Sequence, residues 1–148
     1  MSILSKDCIR LNVKAKDKQD AICQSGKLLV EAGCVSPNYV DGMLAREEIM
    51  STYLGNGVAI PHGQFDNRND IFNSCISVLQ IPEGVEWDEG EQVYLVIGIA
   101  ALRNEHVTIL ANLAEAIDDE EIAQKMRTTR NVNVILDHLN KENKSSTE

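Results

Sequence analysis

A tight turn and a constrained histidine meet in the stretch Leu54–Gly63, which reads LGNGVAIPHG. Asn56-Gly57 is among the dipeptides best suited to a two-residue hairpin turn. The apolar residues on either side therefore predict two short antiparallel strands, at 52–54 and 58–60.

His62 stands at the end of this stretch, directly after Pro61 and directly before Gly63. Proline fixes the backbone on one side of the histidine, and glycine leaves it permissive on the other. An imidazole with two distinct ring nitrogens and a pKa near neutrality can act as a base, a metal ligand or a nucleophile. The rest of the chain has to distinguish among these roles.

Composition indicates an ordinary globular domain. The 148 residues are 43% hydrophobic and 25% charged, which fits one domain with a substantial core. The 23 acidic and 14 basic residues give a formal net charge of −9, which argues against nonspecific binding to nucleic acid or anionic membranes. An anionic ligand remains possible if a few cations gather in one cleft.

Cysteine usage and the lack of a long apolar run both indicate the cytoplasm. Cys8, Cys23, Cys34 and Cys75 show no CxxC spacing and lie in apolar segments, which predicts reduced, buried thiols rather than disulfides or metal ligands. No signal peptide is visible, and no stretch approaches the roughly 20 apolar residues of a membrane span. Any membrane association is expected to come through a partner.

Helical and strand patterns interleave along the chain and predict an α/β fold with helices on both faces of one sheet. Strands are predicted at 9–13, 52–54, 58–60, 74–81 and 93–101, and helices at about 17–32, 37–50, 104–117, 119–126 and 132–139. The almost wholly apolar segment 93–101 is typical of a central strand covered on both faces. A turn at 82–84 is expected to end the strand before it.

Arg46 is a candidate for the same site as His62. It falls three residues after Met43 and four before Met50, so it projects from the stripe of the second helix that faces the core. An arginine that reaches solvent from the edge of this stripe would explain the spacing. A guanidinium held at the margin of a pocket is the alternative.

His106 is the second informative histidine. It lies in the first turn of a helix predicted to open at Asn104, immediately after the most apolar strand. Ligands of open α/β sheets bind just beyond the carboxyl ends of strands, and a helix start favours anions and keeps a nearby imidazole neutral. A surface histidine at a helix start remains the alternative.

The sequence lacks the usual motifs of metal sites, serine hydrolases and nucleotide-binding proteins. There is no HxxxH or HxH pair for a metal, no GxSxG elbow for a serine hydrolase, and no glycine-rich nucleotide loop. What fits is a histidine nucleophile for an anionic group, with Arg46 and a helix start to stabilise negative charge. Phosphoryl transfer suits these parts because its catalysis consists mostly of positioning and charge stabilisation.

The segment 52–63 also resembles the active-site segment of the mannitol/fructose-type enzyme IIA domains of the bacterial phosphoenolpyruvate-dependent sugar phosphotransferase system. The later segments 96–101, 104–106 and 113–120 resemble the mannitol branch in particular. The resemblance covers nearly the whole chain and implies a single mixed sheet of about five strands flanked by helices.

The resemblance also implies a role for each candidate residue. His62 would accept a phosphoryl group from phosphorylated HPr and pass it to a cysteine of a IIB domain, which phosphorylates the sugar as the membrane IIC domain imports it. Arg46 would stabilise the phosphoryl group, and His106 would hydrogen-bond its oxygens. No cofactor or metal is implied. The carrier domain would span 1–142, with a frayed polar tail at 143–148.

One departure from the mannitol branch leaves the sugar open: Asn56 stands where that branch carries an acidic residue. The chain has no IIB or IIC segment, so it is expected to work as a free-standing component. Docking partners would need an apolar patch around His62, for which Val58, Ile60 and Phe65 are candidates.

Three functional hypotheses follow. The first is a sugar-system phosphocarrier of the mannitol type, classed as a phosphotransferase. The second is a regulatory enzyme IIA-like domain, nitrogen-related or sensing sugar flux, which acts by phosphorylation-dependent protein binding. The third is a small metal-binding or anion-binding protein with His62 and His106 as ligands.

Overall fold

The computed structural model describes residues 3–102 and 105–145. Within them, one mixed sheet is formed by β1 (Ile9–Arg10), β2 (Tyr53–Gly55), β3 (Val58–Ala59), β4 (Cys75–Asp88) and β5 (Glu91–Ala100). The strand order is β1-β4-β5-β3-β2, with parallel pairs β1–β4 and β3–β5 and antiparallel pairs β4–β5 and β2–β3. The helices are α1 (Lys18–Glu31), α2 (Asn38–Ile49), α3 (His106–Asp118), α4 (Glu120–Thr128) and α5 (Val132–Ser145).

The predicted α/β fold is confirmed, with a hydrophobic core on each face of the sheet. On one face, Ile97 of β5 belongs to a cluster with Leu113 of α3 and Ile135 of α5. On the other face, Val96 belongs to a cluster with Leu29 of α1. Because β5 lies between the two cores, it can be apolar throughout, and each large side chain fully buried there contributes about 1.5–3 kcal/mol.

The hairpin of β2 and β3 forms as predicted. Asn56 and Gly57 have φ angles of +53° and +77°, the left-handed pair that a type I′ turn requires. Since β3 also pairs with β5, the segment after β3 remains beside the central strand, where the Ile99 N–H donates to the Pro61 carbonyl over 2.9 Å. The hairpin thus sets where His62 lies.

The predicted turn at 82–84 is wrong. β4 passes through this segment with a shift of register against β5 and continues to Asp88. A shift of this kind accommodates a proline and a glycine inside a strand. The extended strand carries Trp87 into the core, where its Nε1 donates to Glu47 Oε2 over 2.9 Å.

The predicted set of four reduced, buried thiols is also wrong. Cys34 and Cys75 form a disulfide with their Cα atoms 6.5 Å apart, Cys8 is buried and free, and Cys23 is free but exposed. The pairing arises because the Phe72 N–H donates to the Cys34 carbonyl over 2.7 Å, which brings the end of α1 to the start of β4. The two cysteines are separated by 41 positions, and the sequence carries no local signal of this contact.

The C-terminal boundary stays a prediction. α5 continues to Ser145, into the segment 143–148 expected to be frayed, and 146–148 lie outside the described residues. None of the described helices is both long enough and apolar enough to cross a membrane.

Candidate functional site

A cavity of about 1000 Å³ opens where β5 ends and the segment after β3 passes beside it. His62, His106 and Arg46 all line this cavity. The structure therefore brings together all three site residues predicted from the sequence, from a loop and two helices that are remote from one another along the chain.

His62 presents one ring nitrogen to the cavity. Its side chain is almost buried, with 9% of the residue exposed, and its Nδ1 lies 2.9 Å from the Ile60 carbonyl oxygen. A carbonyl oxygen can only accept a hydrogen bond, so we assign the proton to Nδ1. The lone pair of the neutral ring is then on Nε2.

The surroundings of His62 keep it neutral. Burial lowers the pKa of its imidazole, and the nearby positive charge of Arg46 and the His106 ring lower it further, although the bond to Ile60 works in the opposite direction. Because the pKa lies below its usual value of 6.5, the ring keeps its lone pair at neutral pH. A neutral imidazole with a fixed tautomer is a nucleophile in its reactive form.

Tyr39 of α2 holds the backbone that follows His62. Its hydroxyl donates to the Ile99 carbonyl over 2.7 Å and accepts from the Gly63 N–H over 2.9 Å. Burial raises the pKa of Tyr39 to about 12, so the hydroxyl stays protonated. A Cβ on Gly63 would lie 2.5 Å from Tyr39 Cε1, and the glycine is therefore required by this close approach.

His106 lies beside His62 at the start of α3. The two rings meet edge to face, with centroids 5.3 Å apart and an interplanar angle of 64°. Burial lowers the pKa of His106, and the charge of Arg46 lowers it further. A neutral His106 can donate one hydrogen bond to a group held at His62.

The predicted helix start at Asn104 lies outside the described residues. α3 begins at His106, and the preceding Glu105 makes no side-chain bond to the helix N-terminus. Its carboxylate accepts instead from the Ser74 hydroxyl. The first N–H groups of α3 have no intrahelical acceptor and favour an anion in front of them.

Arg46 lies at the margin of the cavity, so both interpretations of its spacing are partly right. Its Nη1 donates to the Met50 carbonyl over 2.7 Å at the end of α2, and its side chain is partly exposed. The prediction that Met50 faces the core is wrong, because α2 ends at Ile49 and Met50 has extended backbone and is 65% exposed.

The rim of the cavity is apolar and exposed, but its residues differ from those predicted. Val58 and Ile60 are buried, and the Phe65 side chain lies outside the described part of the chain. The large exposed apolar residues that line the cavity, which we call the apolar rim, are Ile49, Met50, Leu54 and Val107.

Sequence reasoning missed three polar contributors to the site. Tyr39, Gln64 and Arg68 were given no role in the site, although all three line the cavity. Gln64 and Arg68 lie at and within the 3-10 helix Phe65–Asp70, a short element without a periodic signature. Among the residues described, no group of three or more His, Cys, Asp or Glu is placed to hold a metal ion.

The sequence of this chain is similar to that of known phosphotransferase-system proteins. Residues 2–142 match the family described as "Phosphoenolpyruvate-dependent sugar phosphotransferase system, EIIA 2". The mannitol-specific phosphotransferase enzyme IIA component of Bacillus subtilis is 38% identical over 143 residues, which cover 97% of this chain and all of that protein.

Two further relatives are a larger protein and a solved complex. The multiphosphoryl transfer protein of Escherichia coli O157:H7 is 45% identical over 125 residues, and the match covers 84% of this chain but 33% of that protein. A structure of the complex of enzyme IIAMTL and phosphorylated enzyme IIBMTL from Escherichia coli matches with a TM-score of 0.88 and 37% identity, covering 94% of this chain and 98% of the matched chain. The chain spans about a third or less of the multiphosphoryl transfer proteins that it matches.

Proposed function

The chain belongs to the EIIA 2 family of the phosphoenolpyruvate-dependent sugar phosphotransferase system, and from this premise we propose that it carries a phosphoryl group on His62. Nε2 of His62 accepts the group from the phosphohistidine of HPr and passes it to a IIB component. The observation that carries this proposal is the bond between His62 Nδ1 and the Ile60 carbonyl, which leaves Nε2 free toward the cavity.

Each transfer exchanges one bond to phosphorus for another. The Nε2 lone pair attacks the phosphorus as the P–N bond of the donor histidine breaks, and its electron pair returns to the donor ring. The Nδ1 of His62 stays protonated and donates to the Ile60 carbonyl, so the ring phosphorylated on Nε2 is cationic. A cationic ring is a good leaving group, which prepares the phosphoryl group for attack by a cysteine thiolate of the IIB component.

The cavity stabilises the transferred charge without binding it tightly. A phosphoryl group brings nearly two negative charges. Arg46, His106 and the start of α3 surround the position in front of His62. Arg46 is partly exposed and already bonded to Met50, so its attraction is screened by solvent. Moderate stabilisation suits a carrier that has to release what it accepts.

The apolar rim is the proposed docking surface for both partners. Its four residues are between 37% and 76% exposed. A group of exposed, large apolar side chains is typical of a surface that contacts other proteins. HPr and IIB would use this surface in turn, since both must reach the same Nε2. We assign the chain to mannitol-type sugar uptake, as a component located in the cytoplasm. Residues 1–142 form the carrier domain, and residues 143–148 form a tail without a role in transfer.

Phosphorylation of purified protein tests the proposal. The protein is incubated with phosphoenolpyruvate, enzyme I and HPr, and the acid-labile phosphoryl adduct is quantified. We expect about one adduct per chain in the wild type and none in His62→Ala, with His138→Ala as the matched control that keeps the adduct. Absence of the adduct in the wild type, or its persistence in His62→Ala, would contradict the proposal.

Transfer onward separates transport from regulation. The phosphorylated protein is mixed with a mannitol-type IIB domain, and loss of the adduct from His62 is followed over time. Rapid transfer supports the transport role. An adduct that stays on His62 while it changes the affinity for another protein would favour the regulatory enzyme IIA-like function instead.

A further inference from the structure

A second cleft lies at the opposite end of β5 from His62. It has a volume of about 540 Å³ and is formed by the segment after β1, the middle of β4, the start of β5 and the end of α4. Tyr94 of β5 lines this cleft, whereas His62 is beside Ile99. Five residues of strand correspond to about 16 Å, so the cleft is separate from the candidate phosphoryl site.

Arg127, near the end of α4, is the central cation of this cleft. Its Cζ lies 4.1 Å from the centroid of the Tyr94 ring, a cation–π contact that fixes the guanidinium plane. Its Nη1 is 3.4 Å from the Asn56 carbonyl oxygen, at the edge of hydrogen-bonding distance. The Nε is buried, and the described residues provide no acceptor for it.

A buried guanidinium nitrogen without an acceptor is unusual because leaving such a donor unsatisfied is costly. Guanidinium groups bind phosphate and carboxylate oxygens through two parallel N–H bonds. An arginine with an unused donor therefore favours an anionic ligand, which would contact the terminal nitrogens of Arg127 because its Nε is buried. The contact with Tyr94 holds the guanidinium ready for it.

The charge of the cleft supports the same conclusion. Arg130 lines it together with Arg127, and the described lining residues include no aspartate or glutamate. This is notable in a chain with a formal net charge of −9. Asn12 also lines the cleft, with a left-handed φ of +57° and an exposed side-chain amide that the described residues leave without a hydrogen bond.

The size and the walls of the cleft define the ligand class. A volume of about 540 Å³ lies within the range of small-molecule sites and exceeds what an inorganic anion fills. Leu11 and Pro82 provide an apolar wall beside the two arginines. We propose that this cleft binds a small organic phosphate, with Arg127 and Arg130 on the phosphoryl oxygens and the carbon portion against Leu11 and Pro82.

A two-dimensional NMR titration of the ¹⁵N-labelled full chain tests the site directly. The probes are glucose 6-phosphate, inorganic phosphate, succinate and glucose. We expect glucose 6-phosphate to shift the amides of Asn12, Gly57 and 128–130 saturably, and to bind at least about threefold more tightly than inorganic phosphate or succinate. Glucose should cause no shifts.

Variants assign the contacts. Arg130→Ala removes an exposed side chain and should weaken binding of glucose 6-phosphate about fivefold, while Arg127→Lys keeps the charge, loses the two-bond geometry and should weaken it about tenfold. Lys27→Ala, which removes an exposed positive charge on α1, should bind within about twofold of the wild type. Thermal melts of each variant establish that the fold is retained.

The outcomes are distinct from those for the phosphocarrier function. His62→Ala should bind glucose 6-phosphate as the wild type does, so failure of one proposal leaves the other standing. The proposal is overturned if no saturable shift occurs, if the shifts centre on His62 and His106, or if neither arginine variant weakens binding. Equal binding of succinate would overturn the assignment to a phosphate.

Discussion

The two ends of β5 offer positive charge to an anion in different ways. At the His62 end, Arg46 is partly exposed and bonded to the end of its own helix, and the mouth of the cavity is ringed by apolar side chains. At the Arg127 end, the guanidinium is held on an aromatic ring and keeps a buried, unused donor. The first arrangement suits an anion in transit, and the second suits an anion that is held.

The two ends of β5 also differ in whether a nucleophile lies beside the positive charge. His62 is buried and neutral, with its tautomer fixed by Ile60, and it lines a cavity of about 1000 Å³. Among the residues that the structure describes, those lining the Arg127 cleft include no histidine or cysteine. Moderate charge stabilisation beside a nucleophile supports transfer, whereas a fixed guanidinium without a nucleophile supports binding alone.

The largest effect is expected from Arg46→Ala. Removing a group that stabilises charge in the transition state commonly costs 10²-fold or more, so we expect phosphoryl transfer from HPr to His62 to slow by about 100-fold. Rapid-quench measurement of adduct formation checks this. Arg10→Ala, an exposed arginine on β1, is the matched control. A melting temperature of Arg46→Ala far below that of the wild type would identify Arg46 as structural. It would then contradict a role for Arg46 in stabilising the phosphoryl group at His62.

Tyr39→Phe tests whether the loop after His62 has to be held. The change removes the bonds to Ile99 and Gly63 and should lower the free energy of unfolding by about 1–3 kcal/mol, measured by urea denaturation. Tyr53→Phe is the control, because its hydroxyl makes a weaker contact of 3.4 Å to the Gly57 N–H. Equal losses in the two variants would show that Tyr39 has no special role.

His106→Ala should have a smaller effect on transfer. Loss of one neutral hydrogen bond to the phosphoryl group is worth roughly 1.4 kcal/mol, or about tenfold in rate. His106→Gln keeps a donor and should recover part of the loss. A rate unchanged in both variants would place the phosphoryl group on the other side of the His62 ring.

The pH dependence of stability should show the smallest effect. The folded His62 has a pKa below 6.5, so as pH falls through 6.5 the unfolded chain takes up its proton first and the free energy of unfolding decreases. Each proton bound preferentially by the unfolded chain contributes up to about 1.4 kcal/mol per pH unit. Urea denaturation between pH 7.5 and 5 should give a shallower slope for His62→Gln than for the wild type, and identical slopes would refute the lowered pKa.

Local signals in the sequence were the most informative about this fold. The hairpin at Asn56-Gly57 and the central strand β5 could be predicted because turn chemistry and apolar runs act over a few residues. The continuation of β4 past residue 84 could not, since Trp87 is anchored by Glu47, 40 positions away. The disulfide of Cys34 and Cys75 is a long-range contact of the same kind.

The residues of the candidate site likewise divide into those with a local signal in the sequence and those that depend on long-range contacts. His62, His106 and Arg46 could be selected because their chemistry and their places at element ends are visible in the sequence. Tyr39 could not be selected, because its role depends on a hydroxyl that meets Gly63 and Ile99 across the sheet. The apolar rim was misplaced because alternation along a short strand does not reveal that β3 is covered on both faces.

The position of the phosphoryl group on the imidazole tests the central claim most directly. Protein labelled with ¹⁵N at histidine is phosphorylated through HPr, and the ring nitrogens of His62 are observed by NMR. The account predicts phosphorus bonded to Nε2, with Nδ1 still protonated and bonded to the Ile60 carbonyl. Phosphorus on Nδ1 of His62, or on either nitrogen of His106, would contradict it.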